Sequence, residues 1–299
     1  MRLLLSVVIF PCVVTAQAPP PRSAEVTRTG SFQDPLLLES SGVVRSRVLP
    51  RVLFTINDSG NDPIVFALDS TGRPLGRWPI PGTRNRDWEA LAIGPCPAGS
   101  CIYIGDIGDN PERQASVTIY RVREPARLNA FRGAADATQL DLDSLVFSYP
   151  DGAHDSEAMW VDQTGTVYVV TKGRTGGVKL FRLAAAAFRS GGPAVAELVQ
   201  PLAINPNRGL GGWVTDAALS PNGHRVAIRT YAEVYFFTVL PLGRLADPVV
   251  CNIVGFEAQG EGIEWLDDRR LVLTSEAVGT RRPGTIHIML RNEKYKGIW

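Results

Sequence analysis

The sequence is poor in several residue types that carry chemistry, and each shortage argues against a class of protein. Its 299 residues include 3 histidines and 4 cysteines, and the formal net charge is +1. Because it has no basic surplus and no basic run interleaved with aromatic residues, we expect neither nucleic-acid binding nor attachment to acidic membranes. The motifs Gly-x-Ser-x-Gly and His-Glu-x-x-His are absent, as is a phosphate-binding glycine loop. The sequence therefore offers no standard catalytic signature.

Long apolar stretches are also missing, except at the start of the chain. Residues 1–16 combine Arg2 with an apolar run from Leu3 to Val14 and a small residue at Ala16, the pattern of a secretory signal peptide cleaved after Ala16. Residues 17–24, which contain three consecutive prolines, predict a flexible lead-in. No later segment is long enough for a membrane span. We therefore expect a secreted or periplasmic protein, and a monomer.

The cysteines predict one disulfide. Cys12 lies in the predicted signal peptide, and Cys96 and Cys101 flank Pro-Ala-Gly-Ser between two strand-like segments. Antiparallel strands that leave such a turn bring facing residues close enough for an S–S bond. A redox or metal-binding pair is the alternative, but the CxxC spacing and an adjacent histidine are lacking. The remaining Cys251 is expected to be buried in a strand.

Five similar units make up the rest of the chain. Each opens on an acidic or hydroxylic residue that begins an apolar strand, and a second strand follows after a tight turn; the openings are Ser41, Glu89, Glu157, Asp216 and Glu261. Repeats of roughly 40–50 residues, each too small to bury its own faces, indicate a β-propeller. The predicted fold is all-β, a single propeller domain over residues 25–299 with five blades, or six if the long 89–157 unit contains a further blade.

The first and last units predict how the ring closes. Residues 25–33 alternate like a strand but precede the first unit, whereas the last unit supplies only three strands. We therefore predict that the N-terminal strand becomes the outermost strand of the last blade. Closure of this kind removes an exposed sheet edge.

Polar residues recur where this fold would bring them together. In a propeller the first strand of each blade lines the central channel, and the end of the second strand returns to the same mouth. The predicted channel mouth therefore includes the five openings, together with residues from the ends of second strands: Asn57, Asp58, Asp106, Asp109, Asn110, Lys172, Arg229 and Glu276. Asp58 and Asp106 lie seventeen residues after Ser41 and Glu89, which predicts equivalent positions.

A cation would relieve the repulsion in such an acidic ring. Carboxylate and amide oxygens suit Ca²⁺ better than zinc. The densest cluster is Asp106, Asp109 and Asn110, which with Glu89 forms the predicted metal-ligand set. The alternative is that these residues have a structural role, because Asp and Asn side chains at such corners also form hydrogen bonds with the backbone of turns.

His154 lies just before the opening at Glu157. It is a candidate general base beside the ring, with Glu89 as its candidate catalytic partner. The alternative is a loop histidine bonded to a neighbouring carboxylate. No nucleophile motif accompanies it.

Several short motifs resemble those of known propeller groups. The segments 86–92, 103–110 and 154–158 (RDWEALA, YIGDIGDN and HDSEA) resemble secreted bacterial propellers without an assigned reaction, over most of residues 36–290. The segment 259–263 (QGEGI) is similar to phytase-like esterase and SdiA-regulated propellers, and 219–227 (LSPNGHRVA) is similar to TolB-type repeats. The gluconolactonase group implies a possible chemistry, in which a cation held by Glu, Asn and Asp activates water. Glu89, Asp106 and Asn110 would hold it here, although their spacing departs from that group's motif.

Two functions follow as hypotheses. One is a propeller that binds a small molecule, a sugar or a protein, with Ca²⁺ at an acidic channel mouth. The other is a metal-dependent hydrolase of a small ester, lactone or phosphoester.

Overall fold

A computed structural model of the chain describes residues 22–23, 25–128, 142–189, 192–205, 211–253, 257, 259–277 and 282–290. The predicted signal peptide and most of the predicted lead-in lie outside these residues. None of the helices in the described ranges is long and apolar enough to cross a bilayer.

The described residues form twenty-two strands and two short 3-10 helices, at Ala185–Arg189 and Pro241–Gly243. In chain order the strands are β1 Arg22–Ser23, β2 Glu25–Ser31, β3 Ser40–Arg45, β4 Leu53–Asn57, β5 Ile64–Leu68, β6 Pro74–Pro79, β7 Trp88–Cys96, β8 Gly99–Asp106, β9 Val117–Arg123, β10 Leu142–Ser148, β11 Ser156–Val161, β12 Val167–Thr171, β13 Lys179–Leu183, β14 Ala194–Val195, β15 Glu197–Pro201, β16 Val214–Leu219, β17 Arg225–Thr230, β18 Glu233–Thr238, β19 Val249–Asn252, β20 Gly260–Asp267, β21 Arg270–Ser275 and β22 Thr285–Leu290.

These strands form a five-bladed propeller. From the inside outwards the blades are β3-β4-β5-β6, β7-β8-β9-β10, β11-β12-β13-β15, β16-β17-β18-β19 and β20-β21-β22-β2. The prediction of an all-β propeller is confirmed, with five blades and not the alternative of six. Two short strands extend the outer edges in parallel: β14 pairs with β10, and β1, which lies inside the predicted lead-in, pairs with β19.

The N-terminal strand closes the ring as predicted. β2 pairs antiparallel with β22, from Glu25 opposite Leu290 to Ser31 opposite Thr285. The chain then crosses to the first blade, where the amide of Gln33 donates to the carbonyl of Gly72 at 3.0 Å. Phe32 is buried between the first and last blades. One short segment therefore joins the two ends of the chain.

The core is divided among the blade interfaces. Five hydrophobic clusters occur, and each is built from two neighbouring blades. Successive side chains of a strand point to opposite faces, so Val43 packs towards the last blade while its neighbour Val44 packs towards the second blade. Because both faces of each sheet are covered, the inner strands read as continuous apolar runs and do not alternate between apolar and polar residues.

Cys96 and Cys101 form the predicted disulfide, with their Cα atoms 5.8 Å apart across the β7–β8 hairpin. Cys251 is fully buried in β19, as predicted.

Removing the disulfide should have a modest effect, because the bond closes a short loop. We expect the C96S/C101S double variant to fold and to lose about 2 kcal/mol of unfolding free energy. Urea denaturation of the oxidised parent and the variant measures this. Because reduction breaks the same bond in the parent, the reduced parent should match the variant. A variant that fails to fold would contradict this account.

Candidate functional site

The five inner strands present a ring of side chains at one mouth of the channel. The second residue of each inner strand belongs to this ring: Ser41, Glu89, Glu157, Thr215 and Glu261. The residue that follows each second strand returns to the same mouth, because the two strands are antiparallel: Asp58, Ile107, Lys172, Tyr231 and Glu276. We call these ten positions the mouth ring.

Irregular strand pairing sets four of the five inner-strand ring residues apart from the ladder, whereas Ser41 pairs with Ile56. In β7, Trp88 pairs with Asp106 and Ala90 pairs with Gly105, which leaves Glu89 bulged between them. Glu157 in β11 and Thr215 in β16 are skipped by the pairing in the same way. A bulge bends the strand and re-aims the side chain that it carries.

Where the ring position holds a hydroxyl, the side chain ties one blade to the next. Ser41 Oγ donates to the carbonyl of Glu89 at 2.9 Å, and Thr215 Oγ1 donates to the carbonyl of Glu261 at 3.0 Å. Ser41 Oγ also lies 3.1 Å from Glu89 Oε2, so it helps to orient that carboxylate.

Three carboxylates converge at one side of the ring. Asp58, Asp87 and Glu89 each offer an oxygen, and these atoms lie within 4.8 Å of one another. Asp87 directly precedes β7 and joins the two ring residues from outside the ring positions. We call this group the carboxylate triad.

The surroundings of the triad disfavour its negative charges. Burial, followed by repulsion from Asp58 and Asp155, raises the pKa of Asp87 to about 6. Burial and repulsion from Glu157 and Asp58 raise the pKa of Glu89 well above its usual value. The pKa of Asp58 is also raised, again mainly by burial.

A lysine neutralises the next part of the ring. Lys172 forms an ion pair with Glu157, and its Nζ lies 3.9 Å from Asp155 Oδ2. Burial by itself would lower the pKa of Lys172, but the charges of Glu157, Glu89 and Asp155 raise it overall. Lys172 is therefore a permanent cation among acids.

In the fifth blade, which adjoins the first, Glu261 lies beside Tyr231 and Glu276. The Tyr231 hydroxyl donates to Glu261 Oε1 at 3.1 Å, whereas Glu261 Oε2 is buried without a hydrogen-bond partner among the described residues. Burial and the charge of Glu276 raise the pKa of Glu261 to about 8. The pKa of Glu276 is raised to about 7 by burial and by repulsion from Asp58 and Glu39.

The mouth therefore contains more carboxyl groups than can be ionised at the same time. Six of its carboxyls interact with the charge of one ring lysine, Lys172: Asp58, Asp87, Glu89, Glu157, Glu261 and Glu276. Some must keep protons at neutral pH, unless a cation is bound.

The remaining predicted metal ligands are held in local contacts, so the predicted set of four does not assemble. Asp106 Oδ1 accepts the amide of Asp87 at 2.8 Å and lies 3.8 Å from Arg86 Nε. Asp109 Oδ2 accepts two amides of the following turn, from Arg113 and Gln114, each at 2.7 Å. Asn110 bonds to Arg174.

The equivalence of Asp58 and Asp106 is wrong. Asp106 ends β8 and pairs opposite Trp88, as Asn57 pairs opposite Ser40, so the counterpart of Asp58 is Ile107. The cause is hairpin length. The interval from ring residue to returning residue varies between blades, from fifteen residues for Glu157 to Lys172 up to eighteen for Glu89 to Ile107. Equal spacing across turns of unequal length therefore does not mark equal positions.

Two further predicted ring residues lie inside the wall of the propeller. Asp216 follows the ring position, which Thr215 occupies, and its carboxylate accepts the amides of Ala217 and Ile263, each at 2.8 Å. Burial raises its pKa well above the usual value. Arg229 is 1% exposed; it donates to the carbonyl of Gly262 at 2.8 Å and forms an ion pair with Glu257. Both side chains join the fourth blade to the last.

His154 is held away from the triad by its own neighbours. Its Nε2 lies 2.9 Å from Asp151 Oδ1, and its ring packs against Tyr149 and Phe181. This is the arrangement of a loop histidine bonded to a nearby carboxylate.

Asp87, Thr215 and Tyr231 are the site residues that the sequence interpretation missed. One signal was available for Asp87: it lies two residues before Glu89 in Asp-Trp-Glu, and residues two apart along an extended chain share a side. Thr215 and Tyr231 had no such signal, because their places depend on a bulge and on a turn length.

Comparisons with known proteins find similarity at the level of fold. No family model matches the chain, and no curated protein matches it in sequence. Among solved structures, aldose sugar dehydrogenase from Streptomyces coelicolor is 13% identical, with a TM-score of 0.48, over 91% of this chain and 100% of that one. A gluconolactonase from Xanthomonas campestris is 11% identical, with a TM-score of 0.46, over 93% and 99%. Virginiamycin B lyase from Staphylococcus aureus is 11% identical, with a TM-score of 0.42, over 88% and 73%. Such distant matches carry no information about activity.

Proposed function

We propose that this protein is an exported propeller that binds a divalent cation, Ca²⁺, at the mouth of its central channel and uses it to bind a ligand. The observation that carries the proposal is the carboxylate triad. Asp58, Asp87 and Glu89 each bring an oxygen within 4.8 Å of the others, a spacing at which one ion can contact all three.

The charges around the triad support a cation. Lys172 is paired with Glu157, so its charge is already engaged on the neighbouring part of the ring. Crowded, buried carboxylates raise one another's pKa, and a bound cation removes that penalty by supplying the missing positive charge. Oxygen-only ligands favour a hard ion such as Ca²⁺.

The proposed ligand completes the coordination of the bound ion. Because three carboxylates fill only part of the coordination shell of Ca²⁺, which takes 6–8 oxygens, oxygens of water or of a ligand must complete it. Hydroxyl, carbonyl and carboxylate oxygens are suitable, so a small molecule or a sugar fits this site.

A metal-dependent hydrolase is the second candidate, and one observation favours it. Glu261 is a ring residue with a pKa of about 8 and an unpartnered Oε2, so it holds a proton near neutral pH. Such a carboxyl can give or take a proton during hydrolysis of an ester, lactone or phosphoester. Activity on a panel of these substrates that requires Ca²⁺ and disappears in E261Q would select this function over binding alone.

Calcium titration tests the proposal directly. We expect Ca²⁺ to bind with one-site stoichiometry by calorimetry. At a concentration one hundred times Kd, it should raise the unfolding free energy by about 2.7 kcal/mol. Asp87→Asn should weaken Ca²⁺ binding at least tenfold and yet stabilise the calcium-free protein at pH 7.5, because it removes one repelling charge.

The matched control is Asp62→Asn. Asp62 is an exposed aspartate in the loop that begins at Asp58. Its replacement changes the net charge by the same amount and should leave Ca²⁺ affinity unchanged. Equal loss of affinity in both variants, or no calorimetric binding at millimolar Ca²⁺, would contradict the proposal.

A further inference from the structure

A cavity lies at the end of the channel opposite the mouth ring. Each inner strand runs away from the mouth ring, and the later residues of all five strands line a cavity of about 410 Å³; representative lining residues are Arg45, Ile93, Val161, Leu219 and Trp265. At a rise of roughly 3.3 Å per residue, Arg45 lies about 13 Å along β3 from the ring residue Ser41. This cavity, which we call the lower pocket, is therefore separate from the carboxylate triad.

The lining of the lower pocket combines polar and apolar side chains. Trp160, Leu219 and Trp265 provide its apolar part, and both tryptophans are buried. A volume of several hundred Å³ with convergent polar groups beside apolar side chains suits a small molecule that has a polar group and an apolar body.

Two arginines give the lower pocket positive charge. Arg45 ends β3 and Arg47 follows it at the rim, and both line the cavity. Among the described residues, no carboxylate lies within 4.0 Å of either guanidinium. Arg45 is half-buried and Arg47 is exposed, and the nearest opposite charge in the cavity is that of Glu264. Two guanidinium groups beside one carboxyl leave the lower pocket with a positive charge, which is an anion-binding arrangement.

Glu264 is the acidic residue that lines the lower pocket, and its charge affects which anion can bind there. It is buried, and its Oε1 accepts the amide of Trp265 at 2.6 Å. Burial raises its pKa to about 7. The ionised form repels any anion, and it repels a doubly charged phosphate more strongly than a singly charged carboxylate. The protonated form can donate a hydrogen bond to a carboxylate.

We propose that the lower pocket binds a small apolar carboxylate, whose anionic group is held by Arg45 and Arg47 and whose hydrocarbon body packs against Trp160, Leu219 and Trp265. The guanidinium forks match the two oxygens of a carboxylate. The apolar body leaves water and contacts the cavity walls, which supplies the rest of the affinity.

The test compares a carboxylate with its neutral analogue. In calorimetric titrations at pH 7, 2-naphthoate should bind with one-site stoichiometry, and 2-naphthamide, which has the same body without the charge, should bind at least tenfold more weakly. The double variant R45Q/R47Q should lose at least tenfold in naphthoate affinity and still unfold in a single cooperative transition, because among the described residues neither guanidinium has a carboxylate within 4.0 Å. Arg123→Gln, at an exposed arginine outside the lower pocket, is the matched control and should bind naphthoate like the parent.

The outcomes separate this proposal from the proposed calcium site. Asp87→Asn should bind naphthoate with unchanged affinity, even though it weakens Ca²⁺ binding. The lower-pocket proposal is overturned if naphthoate fails to bind at millimolar concentration, if the amide binds equally well, or if R45Q/R47Q retains full affinity. None of these results bears on the calcium titration.

Discussion

A chain that begins at Asp34, and therefore lacks β2, is expected to lose cooperative thermal unfolding. β2 supplies the outermost strand of the last blade and pairs with β22 along its length. Its loss exposes the polar edge of β22 and removes Phe32 from the interface between the first and last blades. Because each blade is stabilised by both neighbours, an open ring weakens the whole structure and not only one blade.

The matched control begins at Arg22 and keeps β1, β2 and the crossing segment. It should give a single sharp transition by circular dichroism and by calorimetry, with coinciding midpoints. A synthetic peptide of residues 25–33, added to the shorter chain, should partly restore the transition. If the two chains melted within a few degrees of each other, closure by β2 would not be what holds the ring together.

Replacing Lys172 by methionine is expected to be the most damaging single substitution at the channel mouth. Lys172 and Glu157 form an ion pair in which the two side chains are 10% and 2% exposed. Removing one partner of such a pair leaves a buried charge uncompensated, which costs about 3–5 kcal/mol. Lys179→Met is the matched control: Lys179 also belongs to the third blade and pairs with Asp151 at 2.6 Å, but on the surface. An exposed pair contributes about 0–1 kcal/mol.

The loss in K172M should grow with pH. The pKa values of Asp87, Glu276 and Glu261 are raised to about 6, 7 and 8, whereas in the unfolded chain such groups titrate near 4. Between about pH 4 and 8 the folded protein therefore binds more protons than the unfolded chain, and its stability falls as pH rises.

Without the lysine charge the pKa of Glu157 rises further, so the fall should be steeper in K172M than in the parent. Urea denaturation at pH 5, 6.5 and 8 measures both slopes. Equal costs for K172M and K179M, or a cost for K172M that is independent of pH, would show that Lys172 does not neutralise the ring.

The fold could be predicted from the sequence, because the information for it is local. Each unit carries apolar strands bounded by turn residues, and a strand can be identified from its own few residues. Five openings gave the number of blades, and an orphan strand at one end with a missing strand at the other gave the closure. The disulfide was equally local, because both cysteines belong to one hairpin.

The identity of the first-strand ring residues was partly local as well. Glu89, Glu157 and Glu261 open equivalent strands, and the structure brings them to one mouth together with Asp58 and Lys172. Residues at the same place in similar units meet on the axis of a closed ring. Counting residues along the sequence identifies equivalent positions only where no turn or bulge lies in between.

Which of the other polar residues lie at the mouth depends on contacts and strand registers that the sequence does not show. A bulge in β16 puts Thr215 in the ring and sends Asp216 into the wall, and unequal hairpins exchange Asp106 for Ile107. Successive side chains of a strand point to opposite faces. An error of one position in the prediction therefore mistakes a structural residue for a residue of the site. Asp87 lies near Glu89 in the sequence, but Asp58 joins them from the neighbouring blade, and no single repeat encodes that contact.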